Sequence, residues 1–437
     1  MLTIRNATLA DGRTRDVRID TSAGRIAAVG ATLTESGETA DATGKLLLPG
    51  MIDAHVHFRQ PGFPHKETWE TGSRSAAAGG VTTIVDQPNT DPPTVDGESF
   101  DGKAELAADS YVDYGINGGV TEAWDPETLF DRPLLALGEV FLADSTGEMG
   151  IDEGLFREAV EIAADNYRVV TVHAEDADLF DEDARERPGD DFDAWSAYRT
   201  AEAEAAAVER ACEIGDEVGA NIHVAHTSTP EGVDVATERG ATCEVTPHHL
   251  FRSRADYDEL GTFGRMNPPL RSETRRRALF ERVADGTVDV VATDHAPHTR
   301  EEKDAGIWEA PSGVPGVETA LALLLEQARR DNLSYERVQD LTAANPADIF
   351  GLTRRGQIEQ GSMADLVLVD PDDASEIRGA DRHSKCGWTP FEGMQGVFPE
   401  LTMVRGTVVY EASDLDLPGS LRTDGEFGEP VGENVRA

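Results

Sequence analysis

The sequence predicts an α/β protein: a (β/α)8 barrel of the TIM type with a small β-sheet domain built from both chain ends. Through the middle of the chain, about eight apolar, strand-like runs alternate with alanine-rich helical stretches, which is the content that such a barrel needs. Short β-prone segments occupy the two ends of the chain. We therefore expect residues 1–49 and 353–437 to form the β domain and residues 50–352 to form the barrel.

The predicted elements follow in chain order. Glycine-bearing turns separate N-terminal β segments at 2–4, 17–19 and 25–29. A buried apolar run at 46–52 is predicted to be a strand entering the sheet, and further barrel strands are expected at 81–85, 111–116, 136–142, 169–173, 222–226, 242–246 and 288–293. Helical spacing of apolar residues appears at 154–166, 201–219 and 275–285. The sequence becomes β-rich again at 358–370 and 401–410.

The chain is strongly acidic. Its 437 residues include 83 Asp and Glu against 39 Lys and Arg, for a net charge of −44, and only five of the basic residues are lysines. Such a composition is typical of a salt-loving organism, because high salt screens the repulsion between surface carboxylates. It argues against nucleic acid as a partner. No apolar run reaches membrane-spanning length and the start of the chain lacks a signal-peptide-like segment, so we expect a cytoplasmic protein.

A pair of histidines two residues apart is the first candidate functional feature. His55 and His57 lie in the segment DAHVHFRQPG, directly after the apolar run at 46–52. Side chains alternate along a strand, so both imidazoles are expected to point the same way. Two converging ring nitrogens suit a divalent metal such as zinc.

Further polar residues end other apolar strands. His173 closes RVVTVH, His226 closes NIHVAH, and Asp294 follows VDVVAT. The active site of a barrel forms at the carboxyl ends of its strands, so these residues are expected to join the histidine pair in one metal site. His223 should point to the opposite side of its strand from His226, and we do not expect it to be a ligand.

The order of these motifs resembles the amidohydrolase superfamily and, more narrowly, the type I dihydroorotases. The resemblance extends over nearly the whole chain through DAHVHFRQPG at 53–62, HKE at 65–67, QPNT at 87–90, NPPLRS at 267–272, TDHAPH at 293–298, GVPGVET at 313–319 and GSMADLVLVD at 361–370. It implies two divalent metal ions, with zinc expected, at the mouth of an amidohydrolase-type barrel. By the same resemblance, the first metal is held by His55, His57 and Asp294, and the second by His173 and His226.

One position departs from the pattern of the family. Members often bridge the two metals with a carboxylated lysine, but Glu139, in the stretch GEVFLADSTG, stands where that lysine would be. Its carboxylate is permanent, but its side chain is shorter by some ~3–4 Å of reach. Either the strand and metals lie closer together or the second metal binds weakly. Asp144 is an alternative bridge, and Glu139 could instead be only a hydrogen-bond acceptor beside the ligands.

The resemblance also implies a substrate and a reaction, the reversible cyclisation of N-carbamoyl-L-aspartate to L-dihydroorotate with loss of water in pyrimidine (UMP) synthesis. A substrate carboxylate needs a fixed cationic fork, which Arg59 supplies near the histidine pair. Asn89 and His298 are implied to complete this carboxylate clamp, and Asn267 to bond the ring. Asp294 is implied as the catalytic base and acid. Gln60 replaces the usual glutamate after the arginine.

Two other interpretations stay open at this point. One is another cyclic amidohydrolase, such as an allantoinase or a dihydropyrimidinase (hydantoinase), which shares the metal ligands but not the carboxylate clamp. The other is a non-catalytic structural partner of aspartate transcarbamoylase, although such chains typically lose the metal histidines. The sequence does not decide whether the protein is a homo-oligomer or whether an active enzyme associates with aspartate transcarbamoylase.

Overall fold

The computed structural model describes residues 1–145, 149–412, 423 and 425–437. Its strands are β1 Leu2–Thr8, β2 Thr14–Asp20, β3 Arg25–Gly30, β4 Glu38–Asp41, β5 Leu46–Pro49, β6 Met51–Val56, β7 Val81–Asp86, β8 Asp113–Ile116, β9 Leu137–Phe141, β10 Val170–His173, β11 Ile222–Val224, β12 Thr242–Val245, β13 Val290–Val291, β14 Leu366–Glu376, β15 Gln395–Val404 and β16 Thr407–Glu411.

The α-helices lie mainly between the strands of the middle of the chain. They are α1 Trp69–Ala78, α2 Gly97–Ala107, α3 Pro126–Phe130, α4 Glu153–Asp165, α5 Ala194–Tyr198, α6 Ala201–Val218, α7 Pro230–Glu238, α8 Pro247–Phe251, α9 Tyr257–Leu260, α10 Glu273–Asp285, α11 Arg300–Lys303, α12 Ala320–Arg329, α13 Tyr335–Gln339 and α14 Asn345–Ile349. Side-chain caps fix many of their starts, as where Thr200 accepts a hydrogen bond from Ala203 N and begins α6. In the described ranges, none of these helices has both the length and the apolar character for a membrane span.

Eight parallel strands of the described chain form the predicted barrel. Strands β6 to β8 make one sheet and β9 to β13 another. Parallel bridges between Gly118 and Leu137 and between Val56 and His295 join the two sheets at both edges. The strands therefore close into a (β/α)8 barrel, and the predicted fold class is confirmed. Apolar faces of the surrounding helices pack against the outside of the barrel and form the main core.

A second, largely antiparallel sheet combines the two chain ends, as the sequence predicted. Its strand order is β16-β15-β14-β5-β1-β2-β3, with β4 paired to β1. The link between the ends is the antiparallel pair β5–β14, in which Leu366 lies opposite Pro49. The domain boundaries themselves stay a prediction, and residues 413–422 and 424 of the predicted C-terminal part lie outside the described residues.

The apolar run at 46–52 is not one strand, which corrects the sequence-based expectation. It divides at Gly50: β5 belongs to the terminal sheet and β6 to the barrel. The backbone here passes so close to β7 that a Cβ on Gly50 would lie 2.2 Å from Cγ2 and Oγ1 of Thr82. A residue without a side chain is therefore required where the chain leaves one sheet for the other.

A buried ion pair fixes the carboxyl end of β7 next to the histidine strand. Nζ of Lys103, on α2, donates to Asp86 Oδ2 (2.7 Å) and to the Gln87 carbonyl (2.6 Å). The other carboxylate oxygen of Asp86 accepts a hydrogen bond from Phe58 N at 2.7 Å. Both charged side chains are fully buried. The pair therefore positions the segment that follows His57.

We expect Lys103→Met to lower the free energy of unfolding by about 3–5 kcal/mol, because removing one partner leaves the Asp86 carboxylate buried and unpaired. Urea denaturation at high salt measures the loss. The matched control is Lys45→Met: its partly exposed ammonium pairs with Asp370 and Glu400, and its loss is expected to cost less than about 1 kcal/mol. Equal losses in the two variants would contradict this account of the buried pair.

Candidate active site

The predicted metal-binding residues meet at the carboxyl end of the barrel. His55 lies on β6 and His57 directly after it, while Asp294 follows β13. Nε2 of His57 is 3.0 Å from Asp294 Oδ1, and Nε2 of His55 is 3.7 Å from the same oxygen. These three residues form a group whose nitrogen and oxygen atoms lie within 4.8 Å of one another, and all three are buried. We call this group the first cluster.

Glu139 lies between the first cluster and the two remaining histidines. Its Oε1 is 2.6 Å from Nε2 of His226 and 2.9 Å from Nδ1 of His173. Its Oε2 is 3.3 Å from Nε2 of His55. A group of three potential ligands, close enough for one metal ion, contains His55, Glu139 and His226, whereas His173 reaches the site through Glu139. The glutamate side chain is therefore long enough to contact histidines from three different strand ends.

A local irregularity in β9 brings Glu139 this close. The pairing of β9 with β10 shifts register between Val170 and Val172, where Gly138 and Glu139 lie opposite Thr171. Gly138 has a φ of +138°, and a Cβ there would lie 2.0 Å from Thr171 Oγ1 and 2.4 Å from its carbonyl oxygen. Only glycine fits such a close approach with a positive φ. With this bulge, the Glu139 carboxylate lies within 3.3 Å of three histidines despite its shorter side chain.

The outer ring nitrogens of three of the histidines are held by hydrogen bonds. Nδ1 of His55 donates to Glu244 (2.6 Å), Nδ1 of His57 to the amide oxygen of Asn89 (2.7 Å), and Nε2 of His173 to Glu175 (2.8 Å). A proton fixed on the outer nitrogen leaves the inner nitrogen as the one that would bind a metal ion in the site. The sequence analysis missed Glu244 and Glu175 as orienting residues.

His223 contacts one of the carboxylates that orient the ligand histidines. Its Nε2 lies 3.3 Å from the other oxygen of Glu244, and its Nδ1 lies 2.8 Å from Thr242 Oγ1. It belongs to neither of the ligand groups found among the described residues. Glu244 therefore bridges His223 and His55. One sign of this role was present in the sequence, an acidic residue inside the short apolar strand TCEV.

The electrostatics of the site favour ionised carboxylates. Burial opposes the charge on Glu139, but the surrounding histidines outweigh it and hold the pKa of Glu139 well below its usual range. The pKa of Asp294 is lowered in the same way, mainly by His57 and His55 against the effect of burial. Burial opposes the charge on His173 as well, but hydrogen bonds with Glu139 and Glu175 raise its pKa to about 9.

These residues fit the divalent metals that the resemblance implied. Nε2 of His57 and Oδ1 of Asp294 are 3.0 Å apart, close enough for both atoms to bind one cation in place of a shared proton. Burial lowers the pKa of His57, which makes its ring proton easier to lose to a bound cation. Nε2 of His55 is buried and makes no hydrogen bond among the described residues, although Glu139 Oε2 lies 3.3 Å away. Imidazole and carboxylate donors together are the ligands that zinc prefers.

Arg59 is a buried cation at the edge of the same cavity. Its side chain is 4% exposed, and its Nε donates to the Pro297 carbonyl at 3.2 Å. Within the described ranges it forms no salt bridge. Burial lowers the pKa of its guanidinium to about 10, so the group stays charged at neutral pH. A buried charge without a partner is costly, which makes this guanidinium a candidate site for an anionic ligand.

Of the other three predicted substrate contacts, two line the cavity and one lies behind it. The cavity is lined by His57, Arg59, Asn89, Glu139, Phe141, Ser145, His173, His226, Asn267, Asp294, Ala296, Ser312 and Gly313. His298 is fully buried beside Arg59, 3.1 Å from its Nη2, and does not line it. Nδ1 of His298 accepts from Lys66, and its Nε2 donates to the Ser312 carbonyl.

Asn89 and Asn267 each keep an amide hydrogen for a ligand. The oxygen of Asn89 is used by His57, which leaves its Nδ2 free to donate within this part of the structure. The oxygen of Asn267 accepts from Trp195 Nε1 and Ser312 Oγ, while its Nδ2 donates one hydrogen to Ser145 Oγ. Both side chains are therefore held as hydrogen-bond donors toward the cavity.

Comparison with known proteins identifies the family. Residues 46–409 match the amidohydrolase family. The chain is 70% identical to a dihydroorotase of Halobacterium salinarum over 94% of this chain and 97% of the relative, and 44% identical to a dihydroorotase of Methanosarcina acetivorans over 94% and 91%. The chain belongs to the amidohydrolase family, and within it to the dihydroorotases. It is therefore an enzyme of the cyclic amide hydrolase class, and the Halobacterium relative agrees with the salt-loving source that the composition predicted.

Less similar proteins with the same fold have other activities. An allantoinase of Salmonella paratyphi B is 31% identical over 94% of this chain and 95% of the relative. The structure of an L-hydantoinase (dihydropyrimidinase) from Arthrobacter aurescens superimposes with a TM-score of 0.91 at 28% identity, covering 99% of both chains. The barrel and terminal sheet are thus shared, while the sequence is much more similar to dihydroorotases.

Proposed function

We propose that this site catalyses the reversible conversion of N-carbamoyl-L-aspartate to L-dihydroorotate and water, a step of pyrimidine (UMP) synthesis. The observation that carries the proposal is the position of the unpaired, buried guanidinium of Arg59 beside a cluster of metal-ligand residues in one cavity. Such a cavity suits a ring amide that also bears a carboxylate. The 70% identity with a dihydroorotase supports the same substrate.

Two divalent metal ions, with zinc expected, belong to the proposal. His55, His57 and Asp294 would hold the first ion, and His173 and His226 the second, with Glu139 shared between them. When bound, the metals supply Lewis acidity that polarises a carbonyl and lowers the pKa of water. The support for this assignment is the set of inner nitrogens directed at Asp294 and Glu139.

Asp294 acts as the proton carrier of the reaction. In the hydrolytic direction its carboxylate takes a proton from the attacking water and delivers it to the ring nitrogen that leaves. Its lowered pKa keeps it ionised, and therefore basic, before the reaction begins. In the direction of ring closure the same oxygen removes a proton from the carbamoyl nitrogen and returns it to the departing water.

Arg59 binds the carboxylate that does not react. Its planar guanidinium donates to both oxygens of a carboxylate, and the Nδ2 groups of Asn89 and Asn267 donate to the carboxylate and the ring. His298 supports this arrangement from behind, because its contact with Arg59 and its bond to the Ser312 carbonyl fix the rear of the cavity.

We expect Arg59→Met to lower kcat/KM for L-dihydroorotate by roughly 100-fold, since the substrate carboxylate loses its charged partner. Dihydrouracil has no carboxylate, so kcat/KM for its hydrolysis is expected to differ by less than about threefold between the variant and the wild type. Steady-state kinetics with both substrates measures the difference. Arg132→Met, which removes a surface arginine paired with Asp101, serves as the control. A variant that retains normal activity on dihydroorotate would exclude Arg59 from substrate binding.

Allantoinase or dihydropyrimidinase activity is the second candidate function, favoured by the relatives at lower identity. It predicts turnover of allantoin or dihydrouracil that does not depend on Arg59. The third interpretation, a structural partner of aspartate transcarbamoylase without activity, is opposed by the complete set of four histidines and Asp294. Action in the cytoplasm, homo-oligomerisation and an association of the active enzyme with aspartate transcarbamoylase stay predictions.

A further inference from the structure

Lys303 is a buried ammonium group directly behind the substrate cavity. It is the last residue of α11 and is 0% exposed. Its Nζ donates to the carbonyl oxygens of Arg265 (2.9 Å), Pro311 (2.9 Å) and Gly313 (3.1 Å). The sequence analysis gave it no role, and the reaction described above does not use it.

The three carbonyl acceptors decide the charge of this group. A neutral amine has two N–H groups and a lone pair, and the lone pair would face a carbonyl oxygen, whereas an ammonium has three donors. Burial, with Arg265 and Arg59 nearby, lowers the pKa of Lys303, but the observed set of acceptors requires the protonated form. Lys303 is therefore a fixed positive charge.

The charge of Lys303 is not balanced by a carboxylate contact. In a chain with 83 acidic residues, the described part shows no salt bridge for Lys303, Arg59 or Arg265, while Lys66 pairs with Glu302 at 3.0 Å. Buried cations without carboxylate partners create a positive electrostatic potential at this place, even though the protein as a whole is acidic. An anionic ligand would supply the missing negative charge.

The unpaired charge lies against the wall of the cavity. Gly313, whose carbonyl accepts from Lys303, lines the cavity together with Ser312. A Cβ on Gly313 would also lie 3.2 Å from Nε2 of His298, which contacts Arg59. Lys303 therefore lies behind the part of the cavity wall that also contacts His298 and, through it, Arg59.

We propose that Lys303 is a specificity-determining residue, a second buried cation that acts with Arg59 to select a carboxylate-bearing ligand over a neutral cyclic amide. It does not touch the substrate. Its charge acts through the low-dielectric wall, where the interaction is screened less than at the surface. The inference rests on the proposed function, because it names the feature of the substrate that this part of the cavity recognises.

The test compares anionic and neutral ligands on Lys303→Met. We expect the KM for L-dihydroorotate and the inhibition constant of orotate to rise about tenfold. The inhibition constant of the uncharged carboxamide of orotate, the kcat and the bound metal per chain are expected to stay within about twofold. Lys45→Met, on the terminal sheet, is the matched control and should change none of these values.

A second variant separates charge from wall structure. Lys303→Gln is neutral but keeps two N–H donors for the carbonyls, and we expect it to show the same selective loss of anion binding. If the inhibition constants of orotate and of its carboxamide rise equally in the two variants, Lys303 only maintains the structure of the wall. If neither constant changes, a ligand in the cavity does not respond to the charge of Lys303. Either result overturns the inference. Failure of the wild-type enzyme to turn over dihydroorotate would instead contradict the proposed function.

Discussion

The variant Asp294→Asn is expected to lower kcat for L-dihydroorotate by about 10³-fold or more, because we propose that this one carboxylate is both a metal ligand and the proton carrier. Asparagine has the same shape, so the fold should survive the change. In the wild-type chain Asp294 is 3.0 Å from His57 Nε2 and has a lowered pKa, which are the properties of an ionised base. Steady-state kinetics together with thermal unfolding measures both parts of the prediction.

Asp285→Asn is the control for this experiment. Asp285 ends α10 on the surface, where its carboxylate accepts hydrogen bonds from Thr287, and its loss should change kcat by less than about twofold. If Asp294→Asn kept most of the wild-type kcat, proton transfer by Asp294 would be excluded and another group would have to carry the proton.

The variant Glu139→Gln is expected to reduce the metal content from about two ions per chain to about one, and kcat by roughly 100-fold or more. Among the described residues, the Glu139 carboxylate is the group that contacts His55, His173 and His226 together. An amide would lack the charge that we propose holds two cations close to each other. Metal analysis of protein purified at high salt, after dialysis against a defined zinc concentration, gives the stoichiometry.

Asp144→Asn provides the matched control, since Asp144 was the alternative bridge. Its exposed carboxylate accepts a hydrogen bond from Gly150 N at 2.8 Å, and it belongs to neither ligand group found in the described ranges. Its replacement should leave the metal content unchanged. An unaltered stoichiometry in Glu139→Gln would show that Glu139 is not the shared ligand, and a loss of metal in Asp144→Asn would assign metal binding to Asp144.

The alternation of apolar strands and helices was sufficient to predict the barrel and the terminal sheet. It was not sufficient to find the break at Gly50, because the run LLLPGMI is apolar throughout and both β5 and β6 are buried. The contact that requires glycine at the break, Thr82 within 2.2 Å of a Cβ at Gly50, comes from β7 and is visible only in the folded chain. Similarly, β13 contains two residues instead of the six expected, since strand length depends on pairing with neighbours.

The strand-end rule predicted which side chains meet at the mouth of the barrel, but not what holds them in place. Glu244 and Glu175 orient two of the histidines, yet a single acidic residue in or after a short strand has no local pattern that marks this role. His298, which the resemblance placed in the carboxylate clamp, lies 3.1 Å from Arg59 and does not line the cavity; its contact with substrate stays a prediction. Its position follows from the packing of the loop after β13, which the sequence does not specify.

The role of Glu139 shows how the sequence and the structure complement each other. The sequence revealed a glutamate where a longer ligand was expected, and it left two outcomes open. The bulge at Gly138 brings the strand to Thr171, so that the short side chain reaches three histidines. A register shift of this kind depends on the pairing of two strands that are separate in the sequence, Leu137–Phe141 and Val170–His173, and cannot be recognised from either strand alone.

The central claim is tested most directly by incubating the purified protein at high salt with L-dihydroorotate and, separately, with allantoin, while the metal bound per chain is measured. We predict turnover of dihydroorotate, little or none of allantoin, and about two metal ions per chain. Turnover of allantoin alone, or a metal-loaded protein that converts neither compound, would contradict the assignment of this cavity to dihydroorotate.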